Sequence, residues 1–197
     1  MQKILLSIIS FYFLMLPSIS DACDINKISD LIANNRLNAK FEQIKTIEVL
    51  SKPLRSQGVM WMSESGDLVW QVNRPIKSTI VINDQGMVQF DRHDKKIAKQ
   101  KMFSMDEISL MFLNIANGNL EELEKGFDMT WKCQIGTWEV MLEPKNKKIS
   151  NFLSALSIRG DTKIQQFSYT EPRGDTTEIT LTHQLDKLSE LLSYYLK

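Results

Sequence analysis

The chain has 197 residues, and 43% apolar with 24% charged residues is the balance of an ordinary globular protein. Its 24 basic and 24 acidic side chains cancel. Net charge therefore favours neither nucleic acid nor an anionic membrane as a partner, and any ligand must be recognised locally. The sequence holds no linker, low-complexity tract or repeat, which predicts one domain over residues 23–197.

Residues 1–22 have the pattern of a secretory signal peptide. Lys3 gives a positively charged start, residues 4–16 are apolar, and Pro17 ends the apolar stretch. The small residues Ser20 and Ala22 both suit signal-peptidase cleavage. The apolar stretch is too short to span a membrane, which takes about 20 residues, and no later stretch is apolar enough. We expect an exported protein that is soluble after cleavage.

The two cysteines allow three states. Cys23 follows the expected cleavage site, where a lipid anchor is attached in lipoproteins, but Ser20 stands where a lipoprotein signal normally has leucine. In an exported chain Cys23 and Cys133 can also form a disulfide, which would close a loop of about 110 residues. Two free thiols are the third state.

Hydrophobic periodicity predicts mostly strands in the first half of the chain. Asp24 can cap a helix over residues 25–34, after which Leu37, Ala39 and Phe41 alternate with polar residues as in a half-buried strand. Turn residues then separate strands at 58–61, 67–72, 78–82 and 87–90, and another strand is expected around 96–103. Such closely spaced strands pair as antiparallel neighbours.

The second half begins with helical spacing. Ser104 and Glu107 fit a capping box, and Gly118 suits the end of that helix. A second short helix is expected near residues 119–126. Strands follow at 128–134, 138–142, 155–158, 165–170 and 177–182, and a terminal amphipathic helix at 184–197. Both sides of residues 59–62 are apolar, so the sheet must be covered on both faces.

Catalytic and metal-binding patterns are weak. The two histidines, His93 and His183, accompany no activated nucleophile. They therefore give little support to a small lipid-modifying hydrolase, which would need one of them for catalysis. No cysteine or histidine pair has metal-ligand spacing, and no glycine-rich loop suits a phosphate. The sequence therefore predicts neither an enzyme nor a cofactor.

Residues 41–84 resemble the LolA-type outer-membrane lipoprotein carriers of Gram-negative bacteria. The matching landmarks are F-x-Q at Phe41, G-x-x-W at Gly58, and W-x-x-x-x-P at Trp70. Later strands are similar as well, in the runs W-E-V-M-L-E-P-K and I-Q-Q-F-S-Y-T-E-P-R-G-D-T-T-E-I. The resemblance implies a mainly β fold, an unclosed antiparallel β-barrel whose concave apolar face is covered by short helices.

The resemblance also implies a periplasmic carrier that takes acyl chains from an inner-membrane transporter and passes them to an outer-membrane acceptor, acting as a monomer. Ile108, Met111 and Phe112 would lie on a lid helix. The expected walls of the lipid cavity are Phe41, Trp61, Leu68, Trp70, Ile80, Ile82 and Phe90.

One departure from the family pattern puts the cargo in question. Many lipoprotein carriers have an arginine-proline pair shortly before the second tryptophan, and that arginine helps to latch the lid. Here Glu64 and Ser65 occupy these places. A glycolipid or another envelope lipid is therefore an alternative cargo, and a lipid or peptide sensor with the same fold is an alternative function.

Overall fold

The computed structural model describes residues 23–97, 103–184 and 193–196, with the backbone alone at residues 103–109 and 193. Helices and strands alternate with short turns in this part of the chain. They are α1 (Ile25–Asn34), β1 (Asn38–Thr46), β2 (Leu54–Met62), β3 (Leu68–Arg74), β4 (Ser78–Asn83), β5 (Gly86–Phe90), β6 (Lys96–Ile97), α2 (Phe103–Asn117), α3 (Leu120–Leu123), β7 (Phe127–Gln134), β8 (Thr137–Pro144), α4 (Lys147–Ser150), β9 (Ala155–Gly160), β10 (Ile164–Thr170), β11 (Thr176–His183) and a 3₁₀ helix (Ser193–Leu196).

The strands form one antiparallel sheet, in the order β6-β5-β4-β3-β2-β1-β11-β10-β9-β8-β7. Neighbours in the sheet are neighbours in sequence except at its centre, where β1 pairs with β11. The edge strands β6 and β7 do not pair with each other, so the sheet is not closed. This confirms the predicted fold class, a mainly β, unclosed antiparallel sheet covered by short helices.

Local signals placed most elements correctly. The carboxylate of Asp24 accepts a hydrogen bond from the Lys27 backbone N–H at 3.2 Å, so α1 begins where its cap predicts. Gly118 has φ +75°, the left-handed conformation expected after the end of α2. Strands β1, β2 and β11 are longer than predicted. Their backbone pairing continues through polar residues, which hydrophobic periodicity does not detect.

Two predicted elements differ from the structure. The strand expected around 96–103 is described at Lys96–Ile97, and Phe103 belongs to α2, which begins one residue before its predicted cap at Ser104. Residues 98–102 lie outside the described part, as do the signal peptide and residues 185–192 and 197 of the expected terminal helix. The short α4 was not predicted; Asn146 caps it by accepting from the Ile149 N–H at 3.0 Å.

The sheet has two apolar faces. The inner face packs against all four α-helices in one large cluster, which includes Ile28 of α1, Ile115 of α2, Leu123 of α3 and Ile149 of α4. The outer face carries a smaller cluster, formed by Val59, Val69, Val81 and Tyr195, with Trp61, Phe90 and Leu196 packed against it.

Gly58 allows a close approach on the inner face. A Cβ atom at this position would lie 1.9 Å from the Gln71 carbonyl oxygen and 2.8 Å from Cε1 of Phe41. Gly58 stands directly opposite Phe41 in the β1–β2 ladder. The absent side chain therefore leaves room for the Phe41 ring over strand β2.

Candidate functional site

Five of the predicted cavity residues lie together on the inner face of neighbouring strands. Trp70 of β3 stands opposite Ile80 of β4, and Leu68 stands opposite Ile82. Phe41 lies on β1, and its ring meets Trp70 edge to face at 5.8 Å between centroids. All five belong to the inner cluster or pack against it.

The structure places Trp61 and Phe90 on the opposite side of the sheet from these five. Trp61 alternates with Met60 and Met62, whose side chains take the inner face, so its own indole points outward. Phe90 stands opposite Thr79, and its ring lies 5.1 Å from that of Tyr195. Since successive strand residues point to opposite faces, a run that is apolar on both sides does not reveal which one is inside.

Helix α2 covers the inner face beside these strands. It contacts β4 and β5 as well as α1, α3 and α4. Met111 is buried and Phe112 half-buried, whereas the side chain of Ile108 lies outside the described part. The Phe112 ring stands 5.7 Å from Trp70 and 6.0 Å from Phe167 of β10, both edge to face. Phe112 thus connects the two sides of the sheet.

Five apolar side chains around α2 are only partly enclosed. Trp70, Val72, Ile80, Met87 and Phe112 are all half-buried and pack against the inner cluster; we call these five residues the α2 patch. None of them carries a charge. Such a surface can hold an apolar ligand through burial alone, which contributes about 25 cal/mol per Å² of apolar area removed from water.

The C-terminal end of α2 is fixed on two sides. The side-chain N–H of Asn117 donates to the Gly66 carbonyl oxygen at 3.1 Å, which joins the helix to the turn between β2 and β3. A Cβ atom on Gly118 would lie 2.5 Å from the Ser29 carbonyl oxygen, so α1 packs directly against this end. Asn117 was not among the predicted site residues, because no local sequence signal marks a contact across 51 residues.

The turn joined to Asn117 is where the family pattern would place its latch arginine. Here Ser65 instead hydrogen bonds to Ser63 and Asp67 within the turn. The Ser63 hydroxyl also accepts from the Asp67 backbone N–H at 2.9 Å. The turn is therefore ordered by its own side chains, and Asn117 supplies its connection to α2.

Cys23 and Cys133 form a disulfide whose Cα atoms are 5.6 Å apart. The bond joins the start of α1 to the end of the edge strand β7. Because both thiols are used, neither is available for a lipid anchor. Disulfides persist in oxidising compartments.

The two histidines lie in different parts of the fold. His93 accepts from the Arg92 Nε–H at 2.9 Å in the turn after β5, and the His183 ring meets the Ile164 carbonyl oxygen at the end of β11. Within the described ranges, no group of three His, Cys, Asp or Glu side chains is placed to hold a metal ion.

The outer cluster is closed by a polar network. The Tyr195 hydroxyl donates to the Asp94 carboxylate at 2.6 Å and accepts from the Gln71 amide at 3.0 Å. Asp94 also pairs with Lys77 at 2.7 Å. The hydrogen bond from Lys77, followed by that from Tyr195, holds the pKa of Asp94 below its ordinary value. The 3₁₀ helix is thereby fixed over Val69 and Val81.

Across residues 23–97, 103–184 and 193–196, no helix combines the length and apolarity needed to cross a membrane. Among curated proteins, none is significantly similar in sequence. Several solved structures show a likeness of fold at very low sequence identity.

The LolA superfamily protein NE2245 from Nitrosomonas europaea is 8% identical, with a TM-score of 0.41 over 87% of this chain and 97% of that one. MucB from Pseudomonas aeruginosa, solved in complex with MucA, is 9% identical, with a TM-score of 0.46 over 86% of this chain and 60% of that one. LprF from Mycobacterium bovis is 10% identical, with a TM-score of 0.36 over 80% and 92%.

These scores are too low to support an argument about function. The sequence model of the outer membrane lipoprotein carrier protein LolA, in contrast, matches residues 33–189, from the end of α1 to beyond β11. That range includes the whole sheet and α2. The chain therefore belongs to the LolA family.

Proposed function

We propose that this protein is a periplasmic carrier that binds lipid acyl chains between α2 and the inner face of β3, β4 and β5. The observation that supports the proposal is the α2 patch, a set of uncharged, half-buried side chains below a helix. The family to which the chain belongs is named for an outer membrane lipoprotein carrier. Neither catalysis nor a cofactor is needed for this function.

Movement of α2 would admit the ligand. Met111 and Ile115 of α2 are 3% and 0% exposed, so the helix fills the inner face in the described structure. Asn117 holds the C-terminal end of α2 to the turn between β2 and β3, so lifting this end of the helix breaks that hydrogen bond. The acyl chain would then replace α2 side chains as the cover of Trp70 and Ile80.

The energetics suit reversible binding. Burial contributes about 0.8 kcal/mol per CH₂, so a 16-carbon chain gains on the order of 12 kcal/mol before ordering costs. Displacing α2 from its apolar contacts offsets part of that gain. A partner that binds the open form better than the closed form can therefore release the cargo. We propose an inner-membrane transporter as the donor and an outer-membrane protein as the acceptor.

Export to the periplasm is supported by the signal-peptide pattern of residues 1–22 and by the disulfide between Cys23 and Cys133. Because the thiol of Cys23 is part of the disulfide, the proposed carrier has no lipid anchor at this residue. A carrier released from the membrane needs no anchor of its own.

The proposal is tested by native mass spectrometry of the protein purified from periplasm. We expect a bound lipid whose removal frees the site for a fluorescent acyl probe. The mass of that lipid distinguishes a lipoprotein acyl group from a glycolipid. Bare polypeptide that also takes up no acyl probe would contradict the proposal.

A further inference from the structure

Large apolar side chains project into solvent at one end of the sheet. Val49 and Leu50, in the loop between β1 and β2, are 89% and 46% exposed. Leu54, the first residue of β2, is 52% exposed, and Ile76, in the turn between β3 and β4, is 68% exposed. We call these four residues the apolar rim. Grouped exposed apolar side chains mark contact surfaces more often than scattered ones do.

The register places the two turns side by side. Leu54 pairs with Lys45 close to the end of β1, and Arg74 pairs with Gln57 close to the start of β2. The loop after β1 and the turn after β3 therefore leave the sheet at the same end. The strands between them, β2 and β3, are hydrogen-bonded neighbours.

Cationic side chains flank the apolar rim. Lys52, Arg55 and Arg74 are exposed, and none of them forms an ion pair or a side-chain hydrogen bond with another described residue. Arg55 and Arg74 line one groove of about 610 Å³, which Glu42 also lines. Residues 47–55 and 74–77 together carry four basic side chains and one acidic side chain. The chain as a whole has no net charge, so the positive charge here is local.

Two acidic side chains near this end are paired, whereas Glu42, Glu48 and Asp175 form no ion pair within the described residues. Glu171 forms an ion pair with Lys45, and Asp94 pairs with Lys77. The two paired carboxylates therefore do little to neutralise the exposed cations beside the rim. An anionic surface outside the molecule is their complementary partner.

We propose that the apolar rim docks on an anionic lipid surface. Its side chains project from two neighbouring turns and from the first residue of β2. Exposed apolar side chains flanked by cations suit the boundary between lipid headgroups and acyl chains. The guanidinium and ammonium groups would remain at the level of the lipid phosphates. This inference goes beyond carriage of a ligand below α2, because the rim lies outside the α2 patch and docks whether or not that patch is occupied.

The first test is flotation of the full mature chain with vesicles of phosphatidylcholine alone, and with vesicles that also contain phosphatidylglycerol. We expect binding to the phosphatidylglycerol vesicles. Replacing Val49→Ser together with Ile76→Ser should lower that binding by about tenfold or more. Ile135→Ser is the matched control, because Ile135 is 98% exposed in the turn between β7 and β8, at the other end of the sheet.

The second test separates charge from apolar contact. Arg55→Gln with Arg74→Gln should abolish the preference for phosphatidylglycerol, whereas Lys40→Gln with Lys132→Gln, on exposed positions of β1 and β7, should preserve it. No flotation of the unmodified chain with either vesicle would overturn the proposal. Equal losses in the rim variant and in Ile135→Ser would overturn it as well.

Uptake of a fluorescent acyl probe by the same variants separates this inference from the proposed carrier function. Lost flotation with normal uptake, in the Val49→Ser and Ile76→Ser variant, is the result we expect. Normal flotation of the unmodified chain with no probe uptake would contradict the carrier function and support the rim.

Discussion

Two parts of the inner face differ in how closely they are packed. Val140, Leu142, Leu156, Ile158 and Ile179, on β8, β9 and β11, are all 0% exposed; we call them the compact part. The side chains of the α2 patch, on β3, β4, β5 and α2, are half-buried. Strands β8, β9 and β11 thus carry a closely packed core, whereas the α2 patch is a looser apolar surface, as are Met129 and Trp131 on the edge strand β7. The first stabilises the fold, and the second is suited to exchange one apolar neighbour for another.

Two isoleucines on the inner face test this difference in packing most directly. Ile158→Ala in the compact part should lower the free energy of unfolding by about 2–5 kcal/mol, because it leaves a cavity that the surroundings cannot fill. Ile80→Ala in the α2 patch should cost clearly less, since its side chain is already partly in water. Urea unfolding of both variants measures the difference. Equal losses would contradict the division of the inner face.

The disulfide tests whether the whole fold can be destabilised without affecting the α2 patch. Cys23→Ser with Cys133→Ser should lower the free energy of unfolding by about 2–4 kcal/mol, because the unfolded chain gains freedom over a loop of 110 residues. Acyl-probe affinity at a temperature where the variant is folded should be unchanged. A large loss of affinity would show that the α2 patch depends on the disulfide.

Much of the fold follows from signals within a few residues of each other. Asp24 predicted the start of α1, and the turn residues predicted the hairpins from β2 to β5. The central pairing of β1 with β11 joins residues 130 or more positions apart, such as Phe41 and Leu181, and was not predicted, because no local signal marks it. Which residues are fully buried depends on such long-range pairs.

The candidate site was only partly predictable for the same reason. Phe41, Trp70 and Ile80 were expected on the inner face and lie there, but Trp61 and Phe90 were expected beside them and lie on the outer face. The outer face is covered by Tyr195, which no local pattern connects to Val69 or Val81. A sequence that is apolar on both sides of a strand therefore predicts two covered faces without indicating which is which.

Asn117 tests whether α2 is held at its C-terminal end. Asn117→Ala removes the hydrogen bond to Gly66 and should cost about 1 kcal/mol of stability. It should also speed acyl-probe uptake, since the closed position of α2 loses a contact. Asn151→Ala, after α4, is the control. Stopped-flow fluorescence would contradict the role of Asn117 if both variants took up the probe at the same rate as the unmodified chain.

The smallest effect concerns the outer face and acid. Because the pKa of Asp94 is below its ordinary value in the folded protein, its ion pair stabilises the fold at pH above about 4. That stabilisation is lost as pH falls through the lowered pKa. Asp94→Asn tolerates the positive φ of 60° at this position and removes the charge.

The stability difference between the unmodified chain and Asp94→Asn should therefore shrink as pH falls below about 4. Urea unfolding at a series of pH values measures it. A difference that does not change with pH would contradict the role of the Asp94 carboxylate. Acyl-probe affinity should be the same in both proteins at neutral pH, because Asp94 lies on the outer face.

The central claim, that the ligand binds below α2 on the inner face, is tested most directly by two tryptophans on adjacent strands. Trp70 belongs to the α2 patch, and Trp61 packs against the outer cluster. Acyl-probe titration of Trp70→Ala should show an affinity at least about tenfold weaker than that of the unmodified chain, and Trp61→Ala should bind normally. Equal affinities in the two variants, or a loss confined to Trp61→Ala, would contradict the account.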